Sequence, residues 1–343
     1  MRVPMRLLAV WLLLLGVPLQ AQQAALGPAE QVADGVLLYR LDDPALLSPP
    51  GPVAVQALRL DPRKVTLEIG RATGDPPRET VEAIASRRRG VIAAVNAGFF
   101  SLQTGEPTDL LKIDGELLNG TSRPRGAVGI LERPDLTTLL FDQVSVATHA
   151  RADPEYRPRL GSSPGDWSQA SDAISGAGLL MLDGRELTDW TDERIAAGFE
   201  TTRHPRTIIG TDADGAIWLV TVDGRNPSLS LGMSFTELRR LSRRLGLRSV
   251  LNLDGGGSTT MWVTGRIVNH PSDPGGARRV SDALLVAPRQ GSDLGLTHPS
   301  PPCVAATARR ITSNTMPSCR EVHHLTDPEE EAPNAMQIPP WPR

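Results

Sequence analysis

Short apolar runs separated by Asp-Gly pairs constrain the fold of this chain more than any other feature. Residues 110–118 and 179–187 are two such runs, with Asp114-Gly115 and Asp183-Gly184 at their centres. An Asp-Gly pair favours the tight turn of a β-hairpin, because both residues tolerate a positive φ. The 32 glycines and 30 prolines also favour a turn-rich fold with strands over a helical bundle.

Strands outnumber helices in the rest of the pattern. The clearest helix is predicted over residues 235–245, because Ser234 and Glu237 form a capping box and Gly246 follows the last apolar position. A second helix is expected over residues 79–89, and a strand pair over residues 53–67. The sequence predicts an α+β fold, with a mixed central sheet, hairpins and a few helices in a single globular domain.

The amino terminus has the pattern of a secretory signal peptide. Arg2 and Arg6 precede an apolar run over residues 7–17, and Ala21 is small enough for a cleavage site. The run is too short for a stable membrane span. We therefore predict a signal peptide over residues 1–21, no membrane span after its cleavage, and a periplasmic or secreted protein.

The carboxyl terminus differs in composition from the middle of the chain. Residues 30–290 are predicted to form the folded domain, and residues 291–343 a proline-rich and disordered tail. Both cysteines, Cys303 and Cys319, lie in that tail, where they could close a small loop in an oxidising compartment. Two cysteines exclude a disulfide scaffold and a multi-cysteine zinc site.

Charge and motifs exclude several classes of function. The formal net charge is −3, so no basic field favours nucleic acid as a partner. The six histidines include no H-E-x-x-H pair, and no G-x-S-x-G nucleophile elbow occurs. We expect neither a zinc hydrolase nor a serine hydrolase of that class, and no cofactor.

Polar residues and glycines follow three of the predicted buried strands, in the segments 96–98, 223–225 and 254–259. A carboxylate or amide at the end of a strand lies on a rigid support, and adjacent glycines let a ligand approach the backbone. Asn252, Asp254 and Asp223 could also supply oxygen ligands to a hard cation such as calcium. An ordinary turn stays an alternative for Asp223.

The three glycines after Asp254 are difficult to explain as an ordinary loop, because adjacent glycines lose much backbone entropy on folding. Successive N–H groups of Gly255, Gly256 and Gly257, followed by Ser258, could form a nest for a phosphate group. The segment lacks the lysine and spacing of a P-loop and the glycine order of a dinucleotide site.

Six motifs in this order resemble the phosphodiester glycosidase family, over about residues 75–287. They are VNAGFF (95–100), RHPRTIIG (203–210), VDGR (222–225), SLGMS (230–234), LNLDGGGSTTM (251–261) and RVSD (279–282). Ala97 departs from the family, which often has a glycine there. The resemblance implies a hydrolase that cleaves the sugar–phosphate bond of a glycosyl-1-phosphodiester, with a carbohydrate phosphodiester as its partner.

The resemblance also implies roles for the residues in these motifs. One carboxylate should act at the anomeric carbon, as nucleophile or as base for water, with Asp254 as the first candidate and Asp223 as the second. Arginine suits a departing phosphate through its charged fork. We expect the phosphate to be held by Arg206, Arg225 and Arg279, together with the glycine nest and Ser258.

The sugar itself needs polar and apolar partners. Asn96 and Asn252 are candidates to orient its hydroxyl or acetamido groups, Gly98 belongs to the same site, and Phe99 or Phe100 could form an apolar wall. Two alternatives stay open: a non-catalytic module that binds phosphorylated polysaccharide, and a metal-dependent phosphodiesterase that cleaves the P–O bond.

Overall fold

The computed structural model describes residues 26–148 and 153–289. The predicted signal peptide and the predicted tail with its two cysteines lie outside the described residues. The described part contains 19 strands, which we number in chain order: β1 (Glu30–Ala33), β2 (Val36–Leu41), β3 (Val55–Leu60), β4 (Val65–Arg71), β5 (Ala93–Asn96), β6 (Leu111–Ile113), β7 (Glu116–Asn119), β8 (Arg125–Glu132), β9 (Thr137–Ala147), β10 (Glu155–Pro158), β11 (Asp172–Ser175), β12 (Leu179–Leu182), β13 (Arg185–Glu186), β14 (Arg206–Asp212), β15 (Ile217–Val222), β16 (Leu247–Asn252), β17 (Met261–Val263), β18 (Arg266–Ile267) and β19 (Asp282–Pro288).

These strands form three sheets. The first has eight strands in the order β1-β2-β3-β15-β14-β16-β12-β13, the second six in the order β10-β9-β8-β11-β6-β7, and the third five in the order β18-β17-β5-β19-β4. Every strand pairing in the described part of the chain is antiparallel. The largest apolar core cluster draws residues from all three sheets, among them Leu58, Val95 and Ile174.

The prediction of an α+β fold with a mixed central sheet is wrong, because the structure is predominantly β. Only three α-helices occur within residues 26–148 and 153–289: α1 (Val81–Ser86), α2 (Pro164–Gln169) and α3 (Phe235–Leu245). None of them is long and apolar enough to cross a membrane. The apolar faces of the strands pack against other sheets, so few helices are needed to bury them.

Local turn and cap signals are confirmed. Asp114-Gly115 joins β6 to β7 and Asp183-Gly184 joins β12 to β13, and both aspartates have a φ of 51°. Helix α3 begins with the capping box of Ser234 and ends at Gly246, which has a φ of 76°. The strand pair predicted over residues 53–67 is wrong in its pairing, because β3 lies in the first sheet and β4 in the third.

Candidate active site

Two of the predicted carboxylates lie at the same end of the eight-stranded sheet, where the inner strands β15 and β16 finish. Asp223 directly follows β15. Asp254 comes after β16 with one residue, Leu253, between them, and β14 lies between β15 and β16 in the sheet. Neighbouring strands are about 5 Å apart, which puts the backbones of the two aspartates about 10 Å apart. Strand-end polar residues therefore meet at one end of the sheet, as the sequence indicated, but the two aspartates are not a contacting pair.

Asn96 connects this end of the sheet to the five-stranded sheet. Its side chain is wholly buried, donates to the Asp254 carbonyl at 2.7 Å, and accepts from the Thr207 hydroxyl at 2.7 Å and the Thr260 amide at 3.1 Å. These partners lie on separate segments, so the hydrogen bonds of Asn96 connect the five-stranded sheet to the eight-stranded sheet. The hypothesis that Asn96 orients a sugar requires polar atoms directed to solvent, and the structure instead directs them to protein.

Asp254 is a partly exposed residue whose carboxyl group is itself buried. Its Oδ1 accepts a hydrogen bond from the Gly255 amide at 2.8 Å, and its own amide donates to the Ala97 carbonyl. Burial raises the pKa of Asp254 to about 6, although the Arg278 guanidinium and the Gly255 amide act to lower it. A carboxyl with a pKa close to the working pH suits general-base chemistry.

Ser258 lies beneath the same carboxyl. Its hydroxyl is wholly buried and has no hydrogen-bond partner among the described residues, yet it is close enough to Asp254 to lower the pKa of that carboxyl.

A second carboxylate, Asp282, was not among the predicted site residues. It begins β19 and is 1% exposed; its Oδ1 accepts from the Gly98 amide at 2.6 Å, and its Oδ2 accepts from the Ser281 hydroxyl. Burial raises the pKa of Asp282, and its charge also acts to raise the pKa of Asp254. A Cβ at Gly98 would lie 2.8 Å from Ile174 Cδ1, so glycine is required for this approach.

The glycine loop allows close approach of side chains from outside it. A Cβ at Gly256, whose φ is 60°, would lie 2.8 Å from Arg225 Nη2. A Cβ at Gly257 would lie 2.1 Å from both Arg278 Nη2 and Asp273 Oδ1. Two guanidinium groups therefore cover the loop next to Asp254, in the space that a side chain on the loop would occupy.

Two of the three glycine amides in the predicted phosphate nest, those of Gly255 and Gly256, donate to protein groups. The Gly255 amide donates to Asp254 Oδ1, the Gly256 amide to the Pro205 carbonyl and the Ser258 amide to the Gly255 carbonyl. With these three donors engaged within the protein, the arginines are the stronger source of positive charge at the site.

The structure separates the three predicted phosphate arginines. Arg225 is exposed, has a φ of 61°, and its Nη1 lies 3.4 Å from Ser272 Oγ. Arg279 is exposed and makes no hydrogen bond or ion pair with the rest of the described chain, whereas its neighbour Arg278 pairs with Asp273 at 2.8 and 3.0 Å over the loop. Sequence spacing alone did not distinguish Arg278 from Arg279.

Arg206 is buried, with 1% exposure, so its guanidinium does not face the site. It donates to the carbonyls of Met233 and Phe199 at 2.8 and 2.7 Å, and packs against the rings of Phe199 and Phe235 at 4.5 and 5.0 Å. Burial lowers the pKa of Arg206 to about 9. Through these contacts Arg206 holds the segment that precedes β14, while its buried Nη1 has no hydrogen-bond partner among the described residues.

Asp223 is 1% exposed, and its carboxylate is engaged by neighbours. Oδ1 accepts from Asn269 Nδ2 at 3.0 Å and the His270 amide at 2.9 Å, while Oδ2 lies 3.2 Å from His270 Nδ1 and 3.4 Å from Gln56 Nε2. The exposed imidazole of His270 therefore contacts the buried carboxylate of Asp223. The sequence analysis missed this pair because the two residues are 47 positions apart.

Asn252 is also wholly buried and donates to the carbonyls of Ala177 and Leu253. No group of three or more His, Cys, Asp or Glu side chains suited to a metal ion occurs in residues 26–148 and 153–289. The Asp223 carboxylate is engaged by Asn269, His270 and Gln56, whereas the buried Oδ1 of Asn252 has no hydrogen-bond partner among the described residues.

Comparison with known proteins identifies the family of this chain. The family model for phosphodiester glycosidase matches residues 89–287. N-acetylglucosamine-1-phosphodiester alpha-N-acetylglucosaminidase of Mus musculus is 28% identical over 244 residues, which are 68% of this chain and 42% of that protein. The chain spans less than half the length of the curated relatives it matches.

Solved structures share the fold. A hypothetical protein from Synechocystis superposes with a TM-score of 0.63 at 19% identity, covering 76% of this chain and 64% of that one. The catalytic domain of the zebrafish N-acetylglucosaminidase, auto-inhibited by its pro-peptide, superposes with a TM-score of 0.54 at 22% identity, covering 74% and 82%. On the family match over most of the folded region, the chain belongs to the phosphodiester glycosidase family.

Proposed function

We propose that this protein is an exported hydrolase that cleaves the sugar–phosphate bond of a glycosyl-1-phosphodiester in cell-envelope or extracellular polysaccharide. One observation carries the proposal: the Asp254 carboxyl lies beside a glycine loop covered by the Arg225 and Arg278 guanidiniums. A carboxylate and two cations are what attack at an anomeric carbon next to a phosphate requires. The signal-peptide pattern of residues 1–21 supports export.

Asp254 acts as the base in the proposed reaction. It takes a proton from water, whose oxygen bonds to the anomeric carbon, while the bond from that carbon to the phosphate oxygen breaks. The electron pair leaves with the phosphate monoester, and Arg225 and Arg278 stabilise its growing negative charge. A phosphate monoester is a good leaving group, so strong protonation by an acid is not needed.

The remaining candidates position this machinery. Asn96 and Asn252 brace the backbone around Asp254, and Arg206 supports the segment under the glycine loop. Asp282 fixes the Gly98 turn and, through its charge, keeps the pKa of Asp254 high. Asp223 orders Asn269 and His270, which lead into the segment that contains Ser272, Asp273 and Arg278.

The test is hydrolysis of a panel of sugar-1-phosphodiesters in water enriched in oxygen-18, with products identified by mass spectrometry. Cleavage at the anomeric carbon leaves the released phosphate monoester without the label, and a metal-dependent phosphodiesterase places the label in phosphate and loses activity with a chelator. The Asp254→Asn variant should be inactive. Asp183→Asn, in a surface turn whose φ of 51° asparagine accepts, is the matched control. Binding without turnover of any member would leave only a non-catalytic module.

A further inference from the structure

A cavity of about 300 Å³ lies beside the candidate site and has no role in the steps above. Its aromatic walls are Phe99 and Phe199, whose ring centroids are 6.2 Å apart in an edge-to-face arrangement. The volume is at the lower end of the range for small-molecule sites, so it suits a single sugar unit rather than a longer chain. Partly exposed aromatic rings offer an apolar surface for the face of a pyranose ring.

The polar lining of this cavity is strongly cationic. Arg123, Arg125 and Arg194 line it, with Asp109 as its single carboxylate. Asp109 pairs with Arg123 and Arg125, each at 3.3 Å. Arg194 is exposed, and its side chain forms no hydrogen bond or ion pair with other described residues. The Glu193 carboxylate, outside the lining, also acts on Arg125. Arg194 is therefore the cation of the lining that has no carboxylate partner.

Arg125 gives the cavity a rigid cationic floor. It is 4% exposed, its Nη1 donates to the Glu193 carbonyl at 2.9 Å, and its guanidinium lies 5.9 Å from the centre of the Phe99 ring. Its Nε lies 3.3 Å from Asp109 Oδ2, so Asp109 already supplies an anion to this buried cation. The cations of the lining with at least partly exposed side chains to offer an anionic ligand are therefore Arg123 and Arg194.

Two walls of the cavity are connected to the candidate site through neighbouring residues. Phe99 directly follows Gly98, whose amide binds the Asp282 carboxylate. On the other wall, the Phe199 ring stacks on His204 at 6.0 Å. Burial lowers the pKa of His204, and the positive charges of Arg206 and Arg225 act in the same direction. The cavity therefore adjoins segments that also form the candidate site.

We infer that this cavity binds a second anionic group of the substrate, carried by the sugar unit next to the cleaved phosphodiester. The ring of that unit packs against the cavity side of Phe99 and Phe199, and its phosphate or carboxylate pairs with Arg194 and Arg123. The inference rests on the proposed function. It narrows the substrate class from a simple glycosyl-1-phosphodiester to a polymer with an anionic group on successive units.

The test is calorimetric titration of the Asp254→Asn protein with two probes that it does not turn over. Each is N-acetylglucosamine joined through its 1-phosphodiester to a second sugar, and one has an additional phosphate on that second sugar. We expect the doubly charged probe to bind about tenfold more tightly. Arg194→Gln should remove this preference and change the affinity for the singly charged probe less than about twofold. Arg89→Gln, another exposed arginine, should retain the preference.

The outcomes separate the two proposals. Equal affinity for the two probes, or an equal loss for both in Arg194→Gln, would overturn the inference about the cavity. If the wild-type protein hydrolyses the probes without a preference, the proposed function stands and the cavity inference fails. If the preference is present but the wild-type protein hydrolyses neither probe, the proposed function fails and the anion site stands.

Discussion

Replacing Asp254 with asparagine should abolish activity and at the same time stabilise the protein. In the folded state burial raises the pKa of this carboxyl from 3.8 to about 6, so its ionised form is less favourable there than in the unfolded chain. Asparagine has the same shape without the charge, and its oxygen can still accept from the Gly255 amide.

The magnitude follows from linkage between proton binding and folding. Because the folded pKa is raised, the folded state loses stability as the pH rises from about 4 to about 6, and the penalty is constant above that. A difference of about 2 pKa units is at most about 3 kcal/mol at pH 7.5, and it falls to about 1 kcal/mol at pH 4.5. Asp254→Asn should gain that amount at each pH.

Urea denaturation of both proteins at pH 7.5 and 4.5 measures the gain, and hydrolysis of a sugar-1-phosphodiester measures the activity. For the wild-type protein, kcat/KM should rise with pH through about 6, because the base must be ionised. The surface variant Asp183→Asn should change stability by less than about 0.5 kcal/mol at either pH. Stabilisation that is equal at both pH values, or a loss of stability at pH 7.5, would refute the reasoning.

Three further substitutions test the site. Arg225→Lys should raise KM about tenfold or more despite keeping the charge, since lysine lacks the guanidinium fork; unchanged kcat and KM in steady-state assays would count against the phosphate clamp. Gly257→Ala should lower kcat/KM at least about tenfold, because the new Cβ would lie 2.1 Å from the Arg278–Asp273 ion pair. Gly275→Ala is the control, because its Cβ would meet nothing within 4 Å. Equal activity of the two variants would contradict the packing argument. Asn96→Ala should lower the free energy of unfolding, measured by urea denaturation, by about 3 kcal/mol, because it leaves three partners of Asn96 without a hydrogen bond. A loss below about 1 kcal/mol would show that these groups form other hydrogen bonds.

Local signals in the sequence predicted local structure well. The Asp-Gly hairpins and the capped helix α3 need only residues within a few positions of one another, so they could be read without the rest of the fold. The fold class could not be read in this way. An apolar run such as β4 does not show whether it is covered by a helix or by another sheet, and β4 pairs with β19, more than 200 residues later.

The candidate site shows the same division. Asp254 and the glycines after it could be identified because a carboxylate and three glycines at the end of a buried strand have few structural explanations. Arg206 and Arg278 could not be told apart by residue type. One is buried among carbonyls and aromatic rings, and the other lies over the glycine loop, and that difference depends on tertiary packing.

The amino-acid sequence by itself determined the hairpin turns, the helix caps and the motifs that place this chain among the phosphodiester glycosidases, because each depends on neighbours along the chain. Only the tertiary structure decided which polar side chains are engaged by the protein. Asn96, Asp223 and Asp282 are buried and accept hydrogen bonds from other segments, while Arg278 is brought over the glycine loop beside Asp254. The physical reason is that burial and hydrogen bonding between distant segments, not residue type, set the exposure and charge of a polar group.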